Sequence, residues 1–114
     1  MIKDYDYPLK FVENGLQNVK TDNINGSLKA IIISSSRASQ IEISFDKLSG
    51  ITLYKHPDVV GTHYIPLKVE SQKTQENKYN FAPDYYYLNN ALLLSVRGLA
   101  KSTVNITLRV EVDA

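Results

Sequence analysis

The fold is decided by the stretch Thr103-Val104-Asn105-Ile106-Thr107-Leu108-Arg109-Val110-Glu111-Val112, in which polar and aliphatic side chains alternate at every position. Successive side chains of a β-strand point to opposite faces of a sheet. One face of this strand therefore lies against a hydrophobic core and the other faces water. The same alternation recurs in residues 40–46 and 62–69, so the pattern predicts an all-β protein.

Other strand and turn signals divide the rest of the chain. Residues 28–34 are almost wholly apolar and rich in isoleucine, which predicts a central strand that is covered on both faces. Residues 34–38 and 57–61 predict turns, and Pro66 predicts an edge strand or a bulge because proline lacks an N–H donor. Roughly six to eight strands favour an antiparallel sandwich of two sheets, jelly-roll or immunoglobulin-like, since two stacked sheets bury both apolar faces.

The length of 114 residues suits one domain. Residues 27–114 are predicted to form a single β-sandwich domain. Residues 1–26 are predicted to form an extended N-terminal arm with one short strand at residues 16–20, because their apolar side chains lack clean alternation. Such side chains need a surface to cover them, which is either the sandwich of the same chain or a neighbouring subunit.

The composition argues against several classes of function. The chain has 13 basic and 12 acidic residues, a net charge of +1 and no basic stretch that could neutralise phosphates. It has no cysteine, no readable secretion signal and no apolar segment of the ~18 residues that a membrane span needs. We therefore expect no nucleic-acid partner, no membrane partner and no cofactor.

Catalytic and metal-binding patterns are weak. A metal site at the two histidines, His56 and His63, would need them to converge with a carboxylate such as Asp58. His63 shares its alternating face with Ile65, which favours a structural role. The serines at 34–36 lack a Gly-x-Ser-x-Gly motif, and no glycine-rich phosphate loop occurs. The sequence predicts a protein that is not an enzyme, with a small hydrolase assembled across strands as an open alternative.

Aromatic residues are the strongest binding candidates, because their rings supply contact area for a protein interface or for stacking on sugar rings. The candidate binding residues are Tyr5, Tyr7, Phe11, Tyr79, Phe81, Tyr85 and Tyr86. A glycan site would use the adjacent residues Tyr85, Tyr86 and Tyr87, although the absence of tryptophan favours packing in the core or between subunits. The long polar connection at residues 71–84 is a second candidate contact region, since such loops are usually functional or mobile.

The segments that carry a resemblance are, in chain order, Gly26-Ser27-Leu28-Lys29-Ala30-Ile31-Ile32-Ile33, Gln40-Ile41-Glu42-Ile43, Tyr54, Tyr64-Ile65-Pro66, Tyr86-Tyr87-Leu88-Asn89 and the alternating residues 103–112. After a polar, turn-rich arm, this order resembles small β-sandwich structural proteins of tailed-bacteriophage virions. Proteins of that class decorate capsids, join neck and tail parts, or form short fibres. The resemblance implies a non-enzymatic, assembled protein, and it assigns no binding residue.

Two functions follow as hypotheses. The first is a virion structural or capsid-decoration protein, an oligomer assembled in the host cytoplasm, whose partners are copies of itself and other virion proteins. Its contacts would come from residues 1–26 and 71–84. The alternative is a carbohydrate-binding module that uses the three adjacent tyrosines and takes a surface glycan as its partner.

Overall fold

The computed structural model describes residues 1–45, 52–67 and 86–112. In these residues the chain forms strands and no helix. The strands are β1 (Ile2–Phe11), β2 (Gly15–Lys20), β3 (Ile24–Phe45), β4 (Thr52–Pro66), β5 (Tyr86–Asn90), β6 (Leu92–Gly98) and β7 (Ser102–Val112). Every pairing between them is antiparallel. The predicted all-β, antiparallel fold is confirmed.

The described strands form one 7-stranded sheet that is curled into a half-barrel. Its order is β1-β7-β3-β6-β2, and both β4 and β5 also pair with β3. The predicted sandwich is not confirmed, because no second sheet separates from this hydrogen-bonded network in the described residues. The sheet is continuous because one long strand, β3, pairs with β4, β5, β6 and β7. Only β1 and β2 among the described strands do not pair with β3.

β3 is 22 residues long and pairs with four other strands. Its residues 26–35 pair with β7 and its residues 40–45 pair with β6, while β4 pairs with both parts along the opposite side. We call β1, β7 and residues 24–35 the first half of the sheet. The second half consists of β2, β6 and residues 39–45. The predicted central position of residues 28–34 is confirmed.

Two segments that were predicted as turns are bends within long strands. Residues 34–38 lie inside β3, where the register against β4 shifts. Ser36 Oγ there accepts a hydrogen bond from the Thr103 N–H at 2.9 Å. Residues 57–61 lie inside β4 and bend beside it. The Ser36 side chain satisfies a backbone N–H at this bulge, so the strand continues through the segment. The local composition had predicted that the chain would turn back there.

Residues 1–26, which the sequence pattern assigned to an arm, supply β1, β2 and the first residues of β3. β1 pairs with β7 from Ile2 to Phe11, and β2 occupies the position predicted for a short strand. β3 already begins at Ile24. Leu9 and Phe11 are buried in the same hydrophobic cluster as the rest of the chain. Of the two covering surfaces considered above, the chain's own sheet is the one found.

The alternation of β1 is hard to recognise because its inner side begins with Lys3, Tyr5 and Tyr7. Tyr5 and Tyr7 are half-buried against the core. The Lys3 ammonium lies 4.8 Å from the centre of the Tyr5 ring, an arrangement that attraction between a cation and an aromatic face favours. Residues with an apolar body and a polar tip serve here as edge packing, and their polarity hides the period of two.

One hydrophobic cluster lines the inner face of the curled sheet and joins both halves. The alternation of residues 40–46 and 103–112 predicted several members correctly, because Ile43, Ile106 and Leu108 are fully buried and half-buried Phe45 packs against the cluster. Leu94 of β6 is fully buried in the same cluster. Because both halves contribute to one cluster, loss of apolar side chains from one half would expose buried side chains of the other half.

The two outer edges of the sheet, β1 and β2, approach each other along a seam. Gln17 Nε2 donates to the Lys10 carbonyl at 2.8 Å, and the Asp22 N–H donates to Tyr7 Oη at 3.3 Å. In the described part of the chain no backbone ladder joins the two strands. The free edge of β1 carries charged side chains and Pro8, which disfavour the addition of another strand.

Candidate functional site

Four bends lie side by side where the chain crosses between the two halves of the sheet. The Ala100 N–H donates to Asn14 Oδ1 at 2.7 Å, and Arg37 Nη1 donates to the Ala100 carbonyl at 2.7 Å. Ser39, just after the bend in β3, pairs with Val59 of β4. We call residues 12–14, 36–38, 57–60 and 99–101 the bend surface. Its interrupted ladder leaves concave space between the strands.

Two adjoining clefts open beside the bend surface. The larger cleft has a volume of about 500 Å³ and extends from Leu16 of β2 to Lys55 of β4. The smaller cleft, of about 350 Å³, lies against the bends themselves. Gln40, Pro57 and Arg97 line both clefts. Ligand sites in proteins occupy concavities of this size, so the shared residues are the first to consider.

Arg97 lies near the middle of the larger cleft. In the sheet register it stands opposite Leu16 of β2 on one side and Gln40 of β3 on the other. Directly opposed residues have Cβ atoms about 5 Å apart, so the guanidinium and the Gln40 amide share one region of the surface. Arg97 is exposed, and no hydrogen bond or ion pair engages its guanidinium within the described ranges. Its donors are free to meet a ligand.

The charges around Arg97 favour an anion. Lys55 adds a second cation to the larger cleft, and Glu42 is the carboxylate among the lining residues. Glu42 Oε2 accepts a hydrogen bond from the Thr52 hydroxyl at 2.9 Å. Thr52 pairs with Ser44, beyond Glu42 as seen from the bends. This hydrogen bond holds the Glu42 carboxylate on the side of Ser44, and Glu42 also stands opposite Lys55 in the β3–β4 register. The lining therefore has two cations and one anion.

Apolar side chains are exposed around the same region. Val12 is 77% exposed in the turn between β1 and β2, and Val60 is 57% exposed at the bend of β4. Leu16, at the rim of the larger cleft, is 51% exposed. Single exposed apolar residues are ordinary on protein surfaces. These three are distinguished by their position, because Val12 and Val60 lie on the bend surface and Leu16 lies at the rim of the cationic cleft beside it.

The outer face of the first half is internally paired. Arg109 donates two hydrogen bonds to Asp4, at 3.0 and 3.1 Å, and the pKa of Asp4 is lowered mainly by this hydrogen bonding. The N-terminal ammonium of Met1 bonds Glu111 and lowers the pKa of that carboxyl. These groups hold β1 to β7 and are engaged with each other.

The aromatic candidates in β1 are directed toward the core. Phe11 is only 2% exposed, and its ring packs against Gly98. Tyr5 and Tyr7 are half-buried, and burial raises the pKa of Tyr7. The binding role predicted for these three residues stays a prediction, with their observed contacts made inside the sheet.

The remaining aromatic candidates fall elsewhere. Tyr79, Phe81 and Tyr85 lie outside the described residues. Tyr86 begins β5 and pairs with Leu28 of β3, while its side chain is not among those described. The connection at residues 71–84 also lies outside the described ranges. The binding roles predicted for this region stay predictions.

His56 and His63 do converge, with ring centroids 5.5 Å apart. His56 Nδ1 accepts a hydrogen bond from the Asp58 N–H at 3.2 Å. His63 Nε2 lies 2.9 Å from the Val60 carbonyl and is the donor there. Over the described ranges, no three His, Cys, Asp or Glu side chains are grouped to hold a metal. The two rings are thus engaged by the bend in β4.

No sequence motif marked Arg97, Gln40 or Lys55 as functional residues. Alternation in β6 does place Arg97 on the outward side, because Val96 faces the core. Its neighbours come from distant parts of the chain through strand pairing. The alternation of apolar residues in β6 could indicate that Arg97 is exposed. It could not indicate the cleft, because the other residues that line the cleft lie on other strands.

The chain matches no protein-family model and no curated protein. Among the described residues there is also no helix with the length and hydropathy of a membrane span. Function is therefore inferred from the bend surface and its clefts.

Proposed function

We propose that the protein is a non-enzymatic structural subunit that acts through protein–protein contacts made by its bend surface. The observation that carries the proposal is the exposure of Val12 and Val60, which lie at opposite ends of the bend surface beside two clefts. Protein interfaces combine apolar and arginine side chains at the centre with a polar rim. Arg37, Lys101 and Glu13 supply polar groups among these bends.

The proposed setting is a tailed-phage virion, in which the protein contacts copies of itself and other virion proteins after assembly in the host cytoplasm. The support for this setting is the resemblance of the sequence segments quoted above, in their order along the chain, to small structural proteins of tailed-phage virions. The contact is assigned to the bend surface, including its residues 12–14, and not to an arm formed by all of residues 1–26, because β1 and β2 complete the sheet of their own chain.

Solution mass tests the proposed contact. We expect size-exclusion chromatography with light scattering to give an oligomer for the native protein. The double variant Val12→Glu with Val60→Glu should be monomeric, because two buried charges at an interface are costly. Ile2→Glu is the matched control, since Ile2 is 51% exposed at the far end of β1 and its replacement should leave the oligomer intact.

Two outcomes would contradict the proposal. One is a native protein that stays monomeric and is absent from purified particles of the phage that encodes it. The other is a monomer that binds one glycan specifically on an array, which would favour the carbohydrate-binding alternative. Detection of the protein in purified particles by mass spectrometry supports the virion setting.

A further inference from the structure

We infer that the larger cleft binds a carboxylate of an acidic segment in the neighbouring protein, with Arg97 and Gln40 as the principal contacts. The inference rests on the proposed function and names the chemistry of the partner. The occupant is an extended peptide segment that carries aspartate or glutamate.

The first step concerns donor geometry. Arg97 and Gln40 are direct partners across the β3–β6 pairing, so a guanidinium and an amide lie side by side on the outer face. A guanidinium presents parallel N–H groups that match the two oxygens of a carboxylate, and an amide adds a further donor. Both residues line the larger cleft and the smaller one, so a ligand in either cleft meets them.

The second step concerns charge. Arg97 and Lys55 are both exposed cations of the larger cleft, whereas the carboxylate of Glu42 is engaged by Thr52. Asp58 lines only the smaller of the two clefts. Glu42 keeps its negative charge and stands opposite Lys55 in the β3–β4 register, so the lining of the larger cleft carries two cations and one anion, a net charge of +1 with His56 neutral. Charge complementarity of this kind favours an acidic partner.

The third step concerns the shape of the occupant. The register of β3 against β4 shifts between Ser39 and Ile41, opposite Pro57, which has no N–H to donate. Ladder bonds are interrupted at this bulge, which opens the sheet surface to an extended segment. Leu16 and Pro57 border the larger cleft with apolar surface that can cover the aliphatic part of an acidic side chain.

The test uses fluorescence polarisation of a labelled hexaglutamate peptide with the full chain, and a labelled hexaglutamine peptide as the probe control. We expect hexaglutamate to bind, its affinity to fall as NaCl rises from about 50 to about 500 mM, and hexaglutamine not to bind. Arg97→Gln should weaken binding about 10-fold or more, because truncation of a central arginine contact has effects of this size. Arg97→Lys should recover only part of the loss, since an ammonium cannot form the paired bonds.

Lys10→Gln is the charge-matched control, because Lys10 lies on β1 and does not line either of these clefts. Its affinity for hexaglutamate should stay within about 2-fold of the native value. The melting temperature of each variant should stay within about 2 °C of the native value, since both side chains are exposed.

Unchanged binding by Arg97→Gln, or equal binding of hexaglutamine, overturns the inference. Oligomers that form without any hexaglutamate binding also overturn it and leave the proposed function standing. Hexaglutamate binding that depends on Arg97, in a protein that forms no oligomer and enters no particle, supports the cleft chemistry and removes the proposed assembly role.

Discussion

In the first half of the sheet, Arg109 of β7 forms paired hydrogen bonds with Asp4, whereas Arg97 of β6 in the second half faces a cleft. Both arginines occupy outward positions on strands that flank β3. The edge strands differ: β1 places Asp4 opposite Arg109, and β2 places Leu16 opposite Arg97. The residue supplied by the edge strand decides whether an arginine is tied into the sheet or available to a partner.

The two halves are alike on their inner face. They share one hydrophobic cluster, so stability depends on both in the same way. Substitutions at exposed positions on the outer face of the second half should therefore have little effect on the stability of the core.

Removal of β1 should have the largest effect on the stability of the sheet. Deletion of residues 1–11 removes the whole pairing with β7, together with buried Leu9 and Phe11. We expect the truncated chain to lose cooperative unfolding, as measured by circular dichroism during heating. Ile2→Ala, a change at an exposed position, should leave the transition in place. A truncated chain that melts cooperatively would restore the interpretation of these residues as a separate arm.

Matched core substitutions test whether the two halves share one core. Ile106→Ala in β7 and Leu94→Ala in β6 should each lower the free energy of unfolding by about 2–5 kcal/mol, because both side chains are fully buried. Urea titration measures both values. An effect below about 0.5 kcal/mol in one of them, the level of a surface change, would show that its half contributes little to the core.

Two paired glycines near the seam differ in the space that an added side chain would find. Gly98 and Gly15 are direct partners in the β2–β6 pairing, but a Cβ on Gly98 would lie 2.7 Å from the Phe11 ring, whereas a Cβ on Gly15 would meet nothing within 4 Å. We expect Gly98→Ala to destabilise by about 1–3 kcal/mol through overpacking. Gly15→Ala should be neutral or stabilising by up to about 1 kcal/mol. Equal effects of the two substitutions in urea titrations would contradict the close packing of Phe11.

The smallest expected effect concerns the ion pair of the first half. The pKa of Asp4 is lowered in the folded protein, chiefly by hydrogen bonding from Arg109. Its contribution to stability is therefore fully present above the ordinary value of 3.8 and is lost as the pH falls through the lowered pKa. Asp4→Asn should make the acid side of the stability profile shallower. The change is small because the pair is exposed to solvent.

Urea titrations between about pH 2 and pH 6 measure this profile. Arg109→Gln should flatten the acid side in the same way as Asp4→Asn, because either substitution removes the hydrogen-bonded pair. A profile for Asp4→Asn that follows the native one at every pH would show that the pair contributes nothing to folding.

Local pattern determined the strands whose inner residues are aliphatic. The alternation of residues 103–112 corresponds to β7, and Leu92, Leu94 and Val96 form the buried side of β6 as their spacing indicates. The period of two is a property of neighbouring residues, so it can be recognised without knowing the fold. In β1 the same period was hidden, because Tyr5 and Tyr7 combine apolar rings with polar tips.

Local sequence pattern could not predict that the segments before and after residues 34–38 form one continuous strand. Residues 34–38 have the composition of a turn, yet the hydrogen bond from Thr103 to Ser36 and the pairing with β4 make them a bend in a continuous strand. That continuity joins the two halves into one sheet and prevents the separation into two sheets that strand count alone suggested.

Alternation along the chain predicted an all-β protein and the aliphatic core positions, including the face formed by Leu92, Leu94 and Val96. Only the tertiary structure decided that Leu16 and Gln40 flank Arg97 and that Asp4 neutralises Arg109. Side-chain alternation follows from the geometry of a single strand. The neighbours across a sheet depend on which strands pair and in which register, and these are selected by burial of one common core.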